Sequence, residues 1–277
     1  MITFTGTAGA TVTYTIDGGA NQTIVLNGSG TATVTTPALT ANSTYTLVSV
    51  ASGTSICNQT VTGSAVITVG ALPTATVSGT ATVCQNAANP TITFTGANGA
   101  EPYTFTYTIN GGANQTLTTT TGSSVSISVP TTTVGVFTYD LVSVASAGLS
   151  SCSQLQSGSA VVTVEALPTA TISGTTTICT GLTATIAFNG TANATVTYTV
   201  NGGANQTIVL DGSGNATITT AALTATTTYT LVSVTSSTVT VCSQTQTGSA
   251  VITVNPLAVP NVTFSYANAC SNATANP

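Results

Sequence analysis

No lysine, arginine or histidine occurs in this 277-residue sequence, and acidic side chains number only five. They are Asp17, Glu101, Asp140, Glu165 and Asp211. A chain without cations cannot neutralise phosphates and offers nothing to an anionic bilayer, so nucleic acids and charged membrane surfaces drop out as partners. Without His or Lys no side chain commonly titrates near neutrality, and without Arg none clamps a carboxylate or a phosphate. The chain is therefore expected not to be an enzyme and to carry no cofactor. Tryptophan is absent and aromatics make up only 5%, which weakens a lectin-like site built on exposed rings. No apolar run reaches the 18 residues of a membrane span. The opening Met1-Ile2-Thr3-Phe4-Thr5-Gly6 lacks the basic and apolar regions of a signal peptide, so an export signal would lie outside this stretch.

What is present points to β structure. The hydrophobic fraction is 42%, enough to bury a core, whereas disordered chains are poor in such residues. About a quarter of the chain is threonine, which with valine is stiff at χ1 and fits a pleated surface better than a helix. Val12, Tyr14 and Ile16 alternate with Thr11, Thr13 and Thr15, the period of a half-buried strand. Asp17-Gly18-Gly19 follows, with Asn110-Gly111-Gly112 and Asn201-Gly202-Gly203 as later copies, and Asx-Gly supplies the positive φ angles of a tight hairpin. Further strands are expected over Gln22 to Leu26 and Thr31 to Thr35, split by the turn Asn27-Gly28-Ser29-Gly30.

These phrases recur. The run Gly18 to Thr23 returns from Gly111 and Gly202, shifts of 93 and 91 residues. Tyr45-Thr46-Leu47-Val48-Ser49-Val50 returns from Tyr139 with Asp140 at its second position and unchanged from Tyr229, and Gly63 to Val69 returns from Gly158 and Gly248. Ninety residues is the size of a self-contained sandwich of about seven strands, not of a solenoid repeat. The expected architecture is all-β, with tandem immunoglobulin-like β-sandwich domains forming an extended rod. Its parts are residues 1–71, a first repeat lacking its first strand; 72–166, a second; 167–256, a third; and 257–277, the first strand of a following repeat or a donor strand for the next subunit. Leu72-Pro73 and Leu167-Pro168 are short, stiff linkers. Tyr45 and Tyr229 stand either as a tyrosine corner at the start of strand F or simply as half-buried strand residues.

The cysteines lie as Cys84 and Cys152, 68 apart in the second repeat, and Cys179 and Cys242, 63 apart in the third. The simplest pairing is within each repeat, Cys84 with Cys152 and Cys179 with Cys242, where each bridge stabilises by about 4 kcal/mol. That places the chain in an oxidising, extracytoplasmic compartment. A zinc site lacks both a CxxC pair and any histidine, so no metal ligands are assigned. Asp17 and Asp211 occupy turns where other copies carry Asn, which marks turn geometry rather than charge; no DxDxDG calcium loop occurs.

The tail is in phase with the repeat. Pro260-Asn261-Val262-Thr263-Phe264-Ser265-Tyr266, Cys270 and Asn276-Pro277 match the piece that the first repeat lacks. The expectation is that residues 257–277 complete the first repeat of the next unit, with Val262, Phe264 and Tyr266 against its edge strand and Cys270 bonded to Cys57. A longer polypeptide of the same repeats, or separate subunits joined by strand donation, would both satisfy it.

Repeats of about 90 residues rich in Ser and Thr, the TYTLVSV and GSAVITV strands, and cysteines near the first strand and before the last together resemble the tandem immunoglobulin-like or PKD-like repeats of very large Bacteroidota surface adhesins, of the gliding-motility type. The resemblance covers the whole chain. It implies export to the cell surface, often by type IX secretion, and a structural stalk or filament segment whose partners are neighbouring repeats or copies head to tail, with a glycan or protein ligand at an unseen tip. The alternatives are a subunit polymerised by donor-strand complementation, and a carbohydrate- or protein-binding module using the loops at the sandwich ends.

Overall fold

The computed structural model describes residues 1–53, 57–148, 152–256 and 262–263. Every regular element among them is a strand. The first repeat contributes β1 (Ile2–Thr5), β2 (Thr11–Ile16), β3 (Gln22–Val25), β4 (Thr31–Val34), β5 (Ser43–Ala51), β6 (Asn58–Thr60) and β7 (Ser64–Ile67). The second contributes β8 (Thr74–Ser78), β9 (Ala81–Cys84), β10 (Thr91–Ala97), β11 (Tyr103–Ile109), β12 (Gln115–Thr118), β13 (Ser124–Ser128), β14 (Gly135–Ser146), β15 (Ser153–Leu155) and β16 (Ser159–Glu165). The third contributes β17 (Ala170–Ser173), β18 (Thr176–Cys179), β19 (Thr185–Gly190), β20 (Thr195–Val200), β21 (Gln206–Val209), β22 (Asn215–Thr219), β23 (Thr227–Thr235), β24 (Ser243–Thr245) and β25 (Ser249–Asn255). By compactness the chain divides into two units. One holds Met1–Ser78, Thr93–Ile127 and Tyr139–Ala160, and the other holds Gly79–Ile92, Ser128–Thr138 and the described residues from Val161 on, so the middle repeat contributes to both.

The third repeat displays the architecture in full. A sheet ordered β17-β19-β22 faces a larger one ordered β18-β25-β23-β20-β21, with β24 hydrogen-bonded to β23. Alternation decides the faces: in β19, Ile186 and Phe188 are fully buried while Thr185 and Asn189 are exposed. Together with Val196, Leu210, Val234 and Ile252 they fill the space between the sheets. Burying each such side chain is worth about 1.5–3 kcal/mol, and this apolar interior carries a fold that has no ion pairs between side chains to draw on. Two facing sheets, with the first strand divided between them and the last three long strands adjacent, make an immunoglobulin-like β-sandwich.

That divided first strand positions everything that follows. After pairing antiparallel with β19, the chain turns at Gly174 and continues as β18, parallel to β25 in the opposite sheet. Gly174 has φ +114°, and a Cβ there would stand 2.4 Å from the Thr185 carbonyl oxygen, so only glycine fits. The second repeat makes the same switch, β8 pairing with β10 and β9 running parallel to β16. In the first repeat β1 pairs with β4, β7 pairs with β5, and among the described residues no strand takes the places of β8 and β9.

The recurring phrases have local physical causes. Asp17, Asn110 and Asn201 have φ of 48°, 51° and 51°, each followed by a positive-φ glycine, which is the geometry of the expected hairpins. The glutamine five residues on accepts a tyrosine hydroxyl, Tyr107 to Gln115 at 3.1 Å and Tyr198 to Gln206 at 3.2 Å. Threonine faces are linked across strands by their hydroxyls, as at Thr104 and Thr118, 2.9 Å apart, and Thr95 and Ser124, also 2.9 Å apart.

Candidate functional site

Three kinds of feature are candidates: the open side of the first repeat, the cysteines, and the few ionisable groups. On the open side of the first repeat, no described strand stands where β8 and β17 stand in the other two. In the third repeat Ile172 of that strand reaches to 3.7 Å from the position of a Cβ on Gly248, and in the second Val77 approaches Gly158 similarly, at 3.6 Å. At the equivalent Gly63 only Leu47 is near. Gly190 lies directly beneath the Thr169 backbone, where a Cβ would stand 2.1 Å from its carbonyl oxygen, whereas the equivalent Gly6 faces the tip of Leu26. The result is an apolar groove of about 470 Å³, lined by Ile2, Phe4, Leu47, Val50 and Ala65 among others. Their counterparts elsewhere are sealed: Ala160 and Ala250, Val144 and Val234, and Ile92 and Ile186 are all at 0% exposure, while Ala65 is exposed and Val50 and Ile2 are partly so.

The cysteines depart from the expected pairing. Cys84 ends β9 opposite Glu165, the last residue of β16. Cys242 lies in the loop between β23 and β24, where its carbonyl accepts the Ser236 N–H. These two are bonded to each other, with Cα atoms 5.6 Å apart and 158 positions between them, while Cys152 and Cys179 are free thiols. The within-repeat pairs Cys84–Cys152 and Cys179–Cys242 are thus replaced by one bridge from the second repeat to the third. The reason is geometric. Cys179 ends β18 beside Asn255 at the end of β25. β25 is antiparallel to β23, with Ile252 opposite Thr227, and β23 then runs away from that point to Thr235, next to the loop of Cys242. Cys179 and Cys242 therefore lie at opposite ends of the third sandwich, roughly a dozen strand residues or about 40 Å apart, against the 4.4–6.8 Å of bridged Cα atoms.

Two hydroxyls hold the bridging loop in place. Thr238 donates to the Glu165 carboxylate at 2.7 Å, and Thr240 donates to the Thr82 carbonyl at 3.3 Å. Sequence reasoning missed both, since neither Thr stands out in a threonine-rich chain. Of the expected junction residues, Cys57 is an exposed free thiol and Val262 is exposed at 68%. Phe264, Tyr266 and Cys270 lie outside the described residues, and so does the expected Cys57–Cys270 bond.

Asp17 and Asp211 serve turns, and the tyrosines serve the core. Asp17 accepts the Thr44 N–H at 2.6 Å and the Ser43 hydroxyl at 3.1 Å, and Asp211 accepts the N–H groups of Ser213 and Asn215 at 2.8 and 2.9 Å. Asn201 and Asn27 accept equivalent bonds, so a carboxylate and an amide do the same work there. The tyrosines line up in threes with phenylalanine: Phe188, Tyr198 and Tyr229 have successive ring centroids 5.1 and 6.3 Å apart, and Phe4, Tyr14 and Tyr45 have theirs 4.8 and 6.1 Å apart. Burial lifts the hydroxyls of Tyr139, Tyr198 and Tyr229 above the ordinary tyrosine range, with the neighbouring phenols of Tyr107 and Tyr198 adding to the effect at Tyr139 and Tyr229. The unfolded chain would ionise these groups first, near pH 10, so their contribution is complete below that value and is lost as pH rises through the raised folded values. Thermal melting is expected to hold steady up to about pH 9 and to fall as pH rises past about 10, in step with phenolate absorbance.

No protein-family model matches the chain, and no curated protein matches it. Among solved structures, a marsupial T cell receptor is similar at 13% identity over 67% of this chain and 74% of its own, with a TM-score of 0.46. An Escherichia coli alpha-2-macroglobulin is similar at 11% identity over 91% of this chain and 30% of its own, with a TM-score of 0.28. The BSP domain of a biofilm associated protein is similar at 14% identity over 79% of this chain and 43% of its own, with a TM-score of 0.24. Likeness at this level carries nothing about function, and the fold assignment rests on the strand order itself. Among the described residues no helix is long and apolar enough to cross a membrane.

Proposed function

We propose that this chain is a non-enzymatic structural segment of an extracellular bacterial surface protein, a stalk or filament of immunoglobulin-like repeats joined head to tail. The observation that carries the reading is the bridge from Cys84 to Cys242. A disulfide that closes one sandwich serves that sandwich alone, whereas a bridge between consecutive repeats fastens the array, and such bonds persist in oxidising compartments. The scarcity of charge supports the same reading, because it leaves the chain without the usual acids, bases and anion clamps. Placement in a Bacteroidota adhesin, with type IX secretion and gliding, rests on the sequence resemblance.

The chain, disulfide intact, should give no specific signal on arrays of glycans and of surface peptides. Saturable binding that is abolished by substitutions in the loops at the ends of the sandwiches would replace the stalk with a recognition module.

A further inference from the structure

The bridge from Cys84 to Cys242 has an acid beside it. Glu165 stands opposite Cys84 where β9 runs along β16, and its Oε2 lies 3.9 Å from the Cys242 Sγ. A sulfur already bonded to another sulfur has no proton to offer, so nothing in that contact attracts the carboxylate. It is held there from the other side. Thr238 donates its hydroxyl proton to Glu165 Oε2 at 2.7 Å, the Ser236 hydroxyl in turn donates to Thr238 at 3.0 Å, and Ser236 accepts the Cys242 N–H at 3.0 Å. The run of bonds thus starts on the backbone of Cys242 and ends against the sulfur of the same residue. The repeat does not demand this arrangement. Gly70 and Asn255 take the place of Glu165 in the first and third repeats, and Gly148 stands in the second where Thr238 stands in the third.

The two sulfurs differ in access. Cys242 is 1% exposed, whereas Cys84 is only half-buried, so a thiol reductant reaches the sulfur of Cys84 first. Its thiolate bonds to Cys84 Sγ, the bond between the two cysteines breaks, and the electron pair leaves on Cys242 Sγ as a thiolate. A second reductant thiolate then attacks the reductant sulfur of this mixed disulfide and releases Cys84. In sum two reductant thiols are oxidised to one disulfide, and their two protons end on Cys84 and Cys242. The first step is the costly one. It places negative charge on a sulfur shut away from water and 3.9 Å from a carboxylate, and a thiolate so placed is a poor leaving group.

We propose that Glu165 guards the bridge against thiols: its charge opposes the thiolate that must leave on Cys242, and Thr238 is the positioning residue that holds it there. The guard sets how long the bond survives and does not depend on the stalk reading.

The full oxidised chain, its free thiols blocked with iodoacetamide, is reduced near neutral pH by dithiothreitol, a neutral dithiol, and the appearance of new thiols is followed. Glu165→Gln keeps an oxygen for Thr238 and loses the charge. Its bridge should be reduced about tenfold faster, because a unit charge about 4 Å from a forming charge counts strongly once water is partly excluded. Glu165→Asp keeps the charge and should stay within about threefold of the parent. Thr238→Val leaves the charge but frees the carboxylate, and its rate should fall between those of the parent and Glu165→Gln. Thr240→Val cuts the other tether of the loop, the bond to the Thr82 carbonyl, and should alter the rate by less than about twofold. On the parent chain, a brief exposure to glutathione, an acid quench and digestion with an elastase-type protease should place the glutathione on Cys84.

Equal rates for the parent and Glu165→Gln would overturn the guard. So would a Thr240→Val rate matching that of Glu165→Gln, which would make loop opening the limiting step. Glutathione found on Cys242 would overturn it as well, and that result is read on the parent chain whether or not any variant folds. Failure of the guard would leave the bridge and the stalk reading standing, whereas a specific array ligand would remove the stalk reading and leave the guard untouched.

Discussion

Replacing Phe188 with alanine is expected to destabilise the third repeat by about 3–5 kcal/mol, the range for emptying a buried phenylalanine site. Phe188 is fully buried between the two sheets, paired across β19 to Ile172 and Ala216, with its ring 5.1 Å from that of Tyr198. Nothing nearby can swing in to fill the space, because the first strand closes that side. The equivalent change at Phe4 supplies the contrast. Phe4 is 7% exposed but lines the open groove, so water can enter where the ring was and only the transfer cost applies, about 1.5–3 kcal/mol. Urea titration of both variants, followed by far-UV circular dichroism and by hydrogen exchange resolved to each repeat, measures the two effects. Equal losses would mean that the groove is not open in solution.

Gly174→Ala is expected to cost about 3 kcal/mol or more, an unusually large penalty for adding one methyl group outside the core. Two effects combine. The residue holds φ at +114°, a region that side chains rarely adopt, and the added Cβ would meet the Thr185 carbonyl at 2.4 Å and the Ile186 Cα at 3.1 Å. Relief requires the backbone to move, and either β17 leaves β19 or β18 leaves β25. Gly212→Ala is the control, since its Cβ would meet nothing within 4 Å, and it should change stability by less than about 0.5 kcal/mol. Amide exchange at Thr176 to Cys179 should accelerate in the Gly174 variant ahead of global unfolding. Protection there equal to the parent chain would show that the switch between sheets tolerates a side chain.

The strands were readable because their causes are local. Thr11 to Ile16 alternates with period two and ends in an Asx-Gly pair, and β2 occupies those six residues. The turn role of Asp17 and Asp211 was readable for the same reason, since Asn replaces Asp in other copies and both side chains accept backbone N–H groups equally well. The cysteine partners were not. Sixty-odd positions of separation suit a loop closure, but separation along the chain does not say which end of a sandwich a residue occupies. That depends on β18 running parallel to β25, a long-range pairing that leaves its only trace in the glycine between Ser173 and Thr175. The groove was half legible. The repeat register showed that residues 1–71 begin past the place of β8, whereas the exposure of Ala65 beside the burial of Ala160 and Ala250 needed three dimensions.

The bridge from Cys84 to Cys242 also determines which residues feel a pull. When tension is applied to the chain ahead of Cys84 and beyond Cys242, the load crosses the sulfur–sulfur bond, and the 158 positions it spans drop out of the load path. Rupture of β11, β20 or β23 then adds no contour length. Roughly 540 Å of extension, at about 3.4 Å per residue, stays hidden until the bond is reduced. Under traction the oxidised span from Cys84 to Cys242 would thus be nearly inextensible, and a reducing environment would make it compliant.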